Sequence, residues 1–230
     1  MDDIQRRLEE GRAALRARFG EAMARTPSLA DPKPQGEGPR NRHGMPQEPP
    51  GQNVFTQKEW PVLEFGEQPV VTPERWRLQV DGPCEHPLSL DWAGLLALPQ
   101  VDLDADFHCV TGWSILDVAF RGVRVEDVLA LARPTAEATH AMFHSYDGYS
   151  TNLPLEEALK PDVLLCHQIG GKALTRERGA PVRVVTPQLW AWKGAKWVNR
   201  IELMPHDRRG YWEIRGYSNT GYPWRDDRMW

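Results

Sequence analysis

The sequence predicts one mixed α+β domain, preceded by an amphipathic helix and an extended arm. Three observations lead to this fold class. Apolar residues recur at helical spacing near the N-terminus, prolines and glycines crowd the next segment, and short strand-like and helix-like segments then alternate irregularly. Because a βαβ rhythm, a G-x-G-x-x-G loop and a Walker loop are all missing, a nucleotide-binding doubly wound fold is not expected.

The apolar residues of the first 25 positions lie on one stripe of a helix. They recur at spacings of four and seven, and the members of the stripe are Ile4, Leu8, Leu15, Phe19 and Met23. The helix should end near Arg25 because a proline follows at position 27. We therefore expect a helix over residues 1–25 that packs on the main domain or on a second subunit, as in a homodimer.

Residues 26–52 form a segment that cannot build a core of its own. Between Thr26 and Asn53 the chain carries seven prolines and four glycines and few large apolar side chains. Such a composition buries too little apolar surface to offset its ordering entropy. We expect a linker or an extended arm, with the main domain over residues 53–230.

Periodicity places several elements in the main domain. In residues 101–109, alternation puts the apolar side chains and Cys109 on one face of a strand, namely Val101, Leu103, Ala105, Phe107 and Cys109. Other expected strands cover residues 76–80, 139–145, 163–167, 182–186 and 198–203. Expected helices cover residues 90–98, 125–132 and 155–159.

Composition limits the partners and the compartment. The net charge is −4, so no global basic field exists that would hold a nucleic acid or an anionic membrane. The three cysteines are dispersed and odd in number, which argues for a reducing compartment. The first residues are charged at nearly every turn and offer no signal-peptide core or membrane span. The expectation is a cytoplasmic protein without a membrane span and without nucleic acid.

Cys109 ends the predicted strand just before a glycine, so its thiol should face a cleft. Taken alone, the residue type favours a buried and chemically inert cysteine, because free cysteines are commonly small core residues. His108 cannot easily act as its base, because neighbouring strand residues point to opposite faces. A zinc site is not indicated, since no histidine shows an established ligand spacing with the cysteines.

Cations gather in a short stretch of the second half. Arg183, Lys193 and Lys196 should converge at neighbouring strand ends, with Arg176 and Arg178 just upstream. Guanidinium and ammonium groups in this arrangement can bind a phosphate. A solvated charged face is the competing interpretation. Three nearby tryptophans leave single-stranded nucleic acid as a minor alternative: Trp190, Trp192 and Trp197.

Residues 147–154 read as a turn leading into a helix. Asn152 stands near the capping position and Pro154 suits the first helical turn. From such a turn, Tyr149 can present its hydroxyl to a pocket as a proton donor or substrate anchor.

Together these segments resemble the molybdopterin-binding domain of the sulfite oxidase family, in particular compact bacterial members without a haem domain. The resemblance extends from about Gln52 to the C-terminus. Its segments are Pro49 to Gln52, His108 to Thr111, Asp147 to Pro154, Gly179 to Arg183, Lys193 to Trp197 and Gly210 to Glu213. It implies the mixed-sheet fold of that family for residues 53–230, as the molybdopterin-binding catalytic domain.

The resemblance also implies a cofactor and the residues that hold it. Cys109 corresponds to the cysteine that ligates molybdenum, beside the dithiolene of one pyranopterin per chain, and Tyr149 to the tyrosine near the metal's exchangeable oxygen. These two are the expected catalytic residues. Soft thiolates suit such a metal, and the cofactor carries the chemistry. Contacts to the cofactor are expected from Gln52, His108, Ser145, Arg178, Arg183, Lys193, Gly194, Ala195 and Lys196.

Two departures from the family pattern bear on the substrate. Gly112 and Trp113 replace the arginines that follow the metal cysteine in true sulfite oxidases and help to bind sulfite. Arg178 stands where relatives often carry His or Asn. Trp113 instead offers an aromatic wall to a neutral or bulkier substrate.

We therefore expect a molybdenum oxidoreductase that transfers an oxygen atom and two electrons, with a small S- or N-oxide reduced ahead of sulfite oxidised. A separate carrier must exchange the electrons, because the chain has no haem or flavin segment. The alternative from another class is a non-catalytic module that binds a phosphate or a nucleic acid through the cation cluster.

Overall fold

Thirteen strands and four α-helices are present in the computed structural model, which describes residues 3–30, 33–64 and 66–229. The helices are α1 (Asp3–Ala24), α2 (Trp92–Ala97), α3 (Val125–Ala132) and α4 (Leu155–Ala158). The strands are β1 (Glu37–Arg40), β2 (Pro46–Glu48), β3 (Asn53–Phe55), β4 (Arg77–Asp81), β5 (Leu88–Asp91), β6 (Gln100–Cys109), β7 (Trp113–Arg124), β8 (His140–Ser145), β9 (Ser150–Pro154), β10 (Leu164–Ile169), β11 (Lys172–Ala173), β12 (Arg183–Val185) and β13 (Val198–Met204). None of these helices combines the length and the apolar character needed to cross a bilayer.

Two mixed sheets organise the described part of the main domain. In the six-stranded sheet the order is β11-β10-β7-β3, with β6 paired to β7 and β12 paired to β10. In the five-stranded sheet the order is β5-β4-β13-β8-β9. Strands β3 and β7 are parallel, as are β4 and β13, and the other pairs are antiparallel. The predicted mixed α+β class is confirmed.

The described residues form two apolar cores, and strands of the six-stranded sheet contribute to both. The larger core joins the five-stranded sheet to α1, α3 and α4, and the smaller one lies against β6 and β7. The smaller core contains the apolar face that alternation predicted, Val101, Leu103, Ala105, Phe107 and Cys109. A bulge between Ala105 and Phe107 shifts the register of β6 on β7 without moving these side chains to another core.

Helix α1 packs on α3 of the same chain. Leu8, Leu15 and Met23 are buried, and Arg12 pairs with Asp127 at 2.6 Å. Ile4 corrects the predicted stripe, because 44% of its surface stays exposed and docking begins one turn later, at Leu8. The first two residues of the expected helix lie outside the described residues. The sequence left open whether this helix packs on the main domain or on a second subunit. The structure shows it on the main domain.

The arm packs against the C-terminal segment. Strands β1 and β2 form a hairpin, and Met45 beside it is fully buried. Trp224, also fully buried, donates its indole N–H to the Pro46 carbonyl at 2.6 Å, and its own carbonyl accepts from Gln35 N at 2.8 Å. The C-terminal segment thus supplies apolar surface against which the arm packs, and the arm's own composition lacks such surface.

Most of the expected elements agree with the structure to within two residues, two differ in kind, and the 12-residue strand β7 was not expected. The helix expected from Leu90 begins at Trp92, because Leu90 pairs with Leu78 in the sheet and Asp91 caps the helix through Gly94 N at 2.8 Å. Asn152 is a strand residue rather than a helix cap. It pairs with Met142, and α4 begins only after Pro154.

The contact between α1 and α3 depends on the missing side chain of Gly11. A Cβ atom there would lie 2.1 Å from the carbonyl oxygen of Ala130, whereas at Gly20 it would meet nothing within 4 Å. We expect Gly11→Val to lower the free energy of unfolding by about 1–3 kcal/mol through overpacking. Gly20→Ala should raise it by about 0.5–1 kcal/mol through helix propensity. Urea denaturation measures both, and equal stability of the two variants would contradict this packing.

Buried histidines make stability dependent on pH. Burial lowers the pKa of His43 and of His167 below the usual 6.5. The unfolded chain therefore binds more protons than the folded protein, so the free energy of unfolding should fall as the pH drops below about 6.5. His167→Gln keeps a donor for Gln100 Oε1, which His167 Nε2 contacts at 2.8 Å. In this variant the free energy of unfolding should decline less steeply between pH 7.5 and 5.5. The variant His86→Gln, at an exposed site, should decline as the wild type does. A decline of wild-type steepness in His167→Gln would contradict the assignment.

Candidate functional site

A cavity of about 340 Å³ opens beside the turn that joins β6 to β7. Its wall contains the thiol of Cys109, three cations, three acidic residues (Glu64, Asp147 and Glu177) and a set of aromatic rings. The aromatic members are Trp60, Phe107, Trp113, Tyr149, Trp192, Trp197, Trp212 and Tyr217. This combination suits a ligand with a soft metal, a flat ring system and a negative charge.

The β6–β7 hairpin positions Cys109. The thiol ends β6 opposite Trp113, and Gly112 N closes the turn on the Cys109 carbonyl at 3.1 Å. Gly112 has a φ of +94°, a conformation that glycine adopts without steric cost. Cys109 is 7% exposed, and its Sγ lies 3.1 Å from Thr111 Oγ1.

The pKa of Cys109 decides how it can bind a metal. Burial raises that pKa, and hydrogen bonds from Thr111 and the charge of Arg228 oppose the rise only in part. The free thiol is therefore protonated at neutral pH. A metal ion that binds here must displace the proton, since the thiolate is the ligand.

Arg183 is a buried cation without an anion. Its side chain extends from β12 into the cavity wall and is 4% exposed. Its hydrogen bonds to the carbonyls of Val184 and Gly194 are long, at 3.4 Å, and its guanidinium lies 5.0 Å from the centre of the Phe107 ring. No carboxylate pairs with it among the residues that the structure describes. Burial lowers its pKa to about 10. An unpaired buried charge is costly, so this guanidinium indicates an anionic ligand.

Two further cations share the wall without an ion pair in the described part of the chain. Lys196 donates to the carbonyls of Leu63 at 2.7 Å and Glu177 at 3.0 Å, and burial, with the charge of Arg183, lowers its pKa to about 8. Arg178 donates to the carbonyl of Pro61 at 2.9 Å and covers the ring of Trp60 at 4.7 Å. The structure therefore brings Arg178, Arg183 and Lys196 together in one cavity wall.

The backbone beside these cations approaches the cavity closely. Gly194 lines the wall, and a Cβ atom there would lie 2.6 Å from the Val184 carbonyl oxygen. Ala195 is fully buried behind it, where its carbonyl accepts from Val184 N at 2.8 Å. Of this expected backbone pair, Gly194 reaches the cavity and Ala195 supports it.

Tyr149 is one of the residues that line the cavity. Its hydroxyl donates to the carbonyl of Trp192 at 2.5 Å. Burial raises the pKa of Tyr149 well above the usual 10, and the negative charge of Glu213 is the second cause of this rise. The phenol is therefore neutral at physiological pH.

Lys193 requires a correction. Its ammonium pairs with Glu213 Oε1 at 2.7 Å, both side chains are fully buried, and it donates to the Asn152 carbonyl at 3.0 Å. Lys193 does not line the cavity. The sequence placed it with Lys196 because the two are three residues apart, but the 3-10 turn of residues 191–193 directs this side chain into the protein.

Three other expected contacts also stay behind the cavity wall. The ring of His108 bonds through Nδ1 to Ser114 Oγ at 2.8 Å, on the face of β6 opposite Cys109. Gln52 accepts from the same hydroxyl at 2.9 Å. Ser145 is buried, and its N–H donates to the Tyr149 carbonyl at 3.0 Å. These residues support the hairpin and the Tyr149 turn rather than lining the cavity.

The tryptophans do not provide an exposed stacking platform. Trp190 is fully buried and Trp197 is 2% exposed, so successive bases cannot stack on them. Sequence reasoning missed Trp60 and Leu63, which reach the cavity from a loop between β3 and β4. No periodicity marks this loop, and only the tertiary contacts with Arg178 and Lys196 reveal its role.

Comparison with known proteins identifies the family. The model of the oxidoreductase molybdopterin binding domain matches residues 65–212. An uncharacterized oxidoreductase, YuiH of Bacillus subtilis, is 40% identical over 182 residues, which are 79% of this chain and 91% of YuiH. The sulfite oxidase of Gallus gallus is 30% identical over 74% of this chain and 42% of its own.

Other relatives are similar over part of their length. The catalytic subunit MsrP of a protein-methionine-sulfoxide reductase from Campylobacter jejuni is 28% identical over 65% of this chain and 56% of its own. The chain thus spans about half the length of this relative and of the sulfite oxidase. In the sulfane dehydrogenase SoxCD of Paracoccus pantotrophus, the matched fold has a TM-score of 0.56 at 22% identity, over 60% of this chain and 40% of that one. The chain belongs to the oxidoreductase molybdopterin-binding domain family of the sulfite oxidase type and is a molybdopterin-dependent oxidoreductase.

Proposed function

We propose that the protein reduces a small S- or N-oxide by oxygen-atom transfer, at a molybdenum that Cys109 ligates. The observation that carries this proposal is the wall beside the thiol. Trp113 follows the turn and stacks on Phe107 with ring centroids 6.0 Å apart, and Trp60 contacts Phe107 at 4.9 Å. This wall favours an apolar group carrying a polar S–O or N–O bond over a small dianion.

The residues present fit the cofactor of the family. Cys109 offers a soft sulfur, and Arg183, Lys196 and Arg178 offer the positive charges that an anionic pterin and its phosphate require. The cavity's aromatic rings offer apolar faces to a flat ring system. The bound cofactor supplies a metal whose oxidation state changes by two electrons.

The chain's own residues orient and shield the reacting groups. Trp60, Phe107 and Trp113 exclude water from the region beside Cys109, which strengthens the electrostatic interactions there. Trp192 holds the Tyr149 hydroxyl through its carbonyl. Reduction of an S-oxide consumes two electrons and two protons and yields the sulfide and water, so the site must also admit protons from solvent.

A separate electron carrier and a cytoplasmic location form part of the proposal. The MsrP relatives are named as catalytic subunits, which supports an electron partner outside the catalytic chain. All three cysteines are free, which supports a reducing compartment. We also keep the division into helix 1–25, arm 26–52 and catalytic domain 53–230.

Sulfite oxidation is the second candidate. Similarity to sulfite oxidases favours it, and so do the cations in the cavity wall, if one of them is left free to bind a dianion. Family membership opposes the third alternative, a non-catalytic module that binds a phosphate or nucleic acid.

Substitution of Arg183 should affect cofactor binding, whereas substitution of Lys193 should affect the stability of the fold. Arg183→Met should weaken cofactor retention about tenfold or more, without destabilising the cofactor-free protein, because it breaks no ion pair. Lys193→Met leaves Glu213 buried and unpaired, so it should lower the free energy of unfolding by about 3–5 kcal/mol. Molybdenum analysis and denaturation of both variants measure these effects. A stable Lys193→Met protein that loses the cofactor would restore Lys193 as a cofactor ligand.

A substrate panel tests the proposed reaction. With reduced viologen as donor, the cofactor-loaded enzyme should reduce sulfoxides or N-oxides faster than it oxidises sulfite with an added oxidant. Elemental analysis should find about one molybdenum per chain. Cys109→Ser should lose both metal and turnover, and Cys84→Ser, at a cysteine outside the cavity, should keep them. Turnover of sulfite without reduction of any S- or N-oxide would overturn the proposed direction.

A further inference from the structure

The C-terminal segment returns to the turn that carries Cys109. This segment follows residue 212, where the match to the family model ends. Its Ser218 N–H donates to the Arg228 carbonyl at 2.9 Å, which folds the segment back on itself. The return brings Arg228 beside residues 109–112, so a side chain outside the family model contacts the proposed metal site.

Arg228 joins three parts of the chain. One terminal nitrogen, Nη1, donates to the carbonyl of Val110, the residue after Cys109. The other, Nη2, donates to the carbonyl of Pro50 in the arm at 2.7 Å. The guanidinium also covers the ring of Trp190 at 4.6 Å, and that ring is fully buried. A planar fork held at both nitrogens and on one face has little freedom to move.

We propose that Arg228 is a positioning residue for the metal-binding turn, which fixes the Val110 carbonyl and keeps a positive charge beside the Cys109 sulfur. A nearby positive charge stabilises the more electron-rich, reduced form of a metal centre, and fixed outer contacts hold its ligand in place. Arg228 therefore raises the reduction potential of the centre. The proposal rests on ligation by Cys109.

Asp226 modulates this charge. Its Oδ1 accepts from Arg228 Nε at 2.6 Å, so it partly neutralises the guanidinium. Asp226 has a φ of +51°, in the left-handed region where asparagine is as well tolerated as aspartate. Asp226→Asn therefore removes the negative charge while keeping the backbone.

Redox titration of the cofactor-loaded full chain tests the proposal through the midpoint potential. Arg228→Met should shift it to more negative values, and Asp226→Asn should shift it to more positive values. Arg228→Lys keeps the charge but not the planar fork, so its potential should stay near that of the wild type while the metal dissociates about tenfold faster. Arg6→Met, which removes an equal charge from exposed helix α1, should change neither value.

Opposite shifts in Arg228→Met and Asp226→Asn support the proposal. Unchanged potentials in both, at wild-type molybdenum content, would overturn it. If Arg228→Met fails to load the cofactor, the midpoint potential of Asp226→Asn alone tests the proposal. A positive shift supports it, and a negative shift would overturn it. Cys109→Ser separates this result from the proposed ligation. If Cys109→Ser keeps the metal, Cys109 is not the ligand. If Cys109→Ser loses the metal while Arg228→Met and Asp226→Asn have wild-type potentials, the role of Arg228 alone is refuted.

Discussion

The buried guanidinium of Arg183 is the constraint on which the site depends. The described residues give it no carboxylate partner, and its own contacts are two long hydrogen bonds to carbonyls and the face of the Phe107 ring. Folding therefore places a desolvated positive charge in the cavity wall, and a bound anion would offset its cost. Lys196 and Arg178 add positive charge at the same place, which supports our proposal that an anionic cofactor binds there.

Arg183 and Lys193 differ in whether a carboxylate of the protein neutralises them. Both Arg183 and Lys193 are buried cations in neighbouring segments, yet Lys193 is neutralised internally by Glu213 at 2.7 Å. The same carboxylate accepts from Thr151 at 2.8 Å and from Trp192 at 3.0 Å. This network holds Trp192, and through its carbonyl Tyr149. Lys193 thus fixes the cavity wall, whereas Arg183 is the cation that we propose binds the cofactor.

Segments distant in sequence complete the cavity. Trp60 and Leu63 belong to a long loop whose carbonyls accept from Arg178 and Lys196. The arm and the C-terminal segment stabilise each other through Trp224 and meet the Cys109 turn through Arg228. Through Arg228, the turn between β6 and β7 therefore contacts the C-terminal segment, which also contacts the arm. This arrangement explains why a proline-rich arm is ordered.

The sequence by itself determined the mixed α+β class, most elements, the inward face of Cys109 and the cation cluster, because alternation and helical spacing report which side of a local element meets the core. Only the tertiary structure decided which cations reach the cavity. Lys193 and Lys196 are close in sequence, but the turn between them points them to different surroundings. His108, Ser145 and Gln52 likewise lie behind the wall, and Trp60 and Arg228 reach the site through loops without periodicity. Such contacts depend on where distant segments meet, which local pattern does not encode.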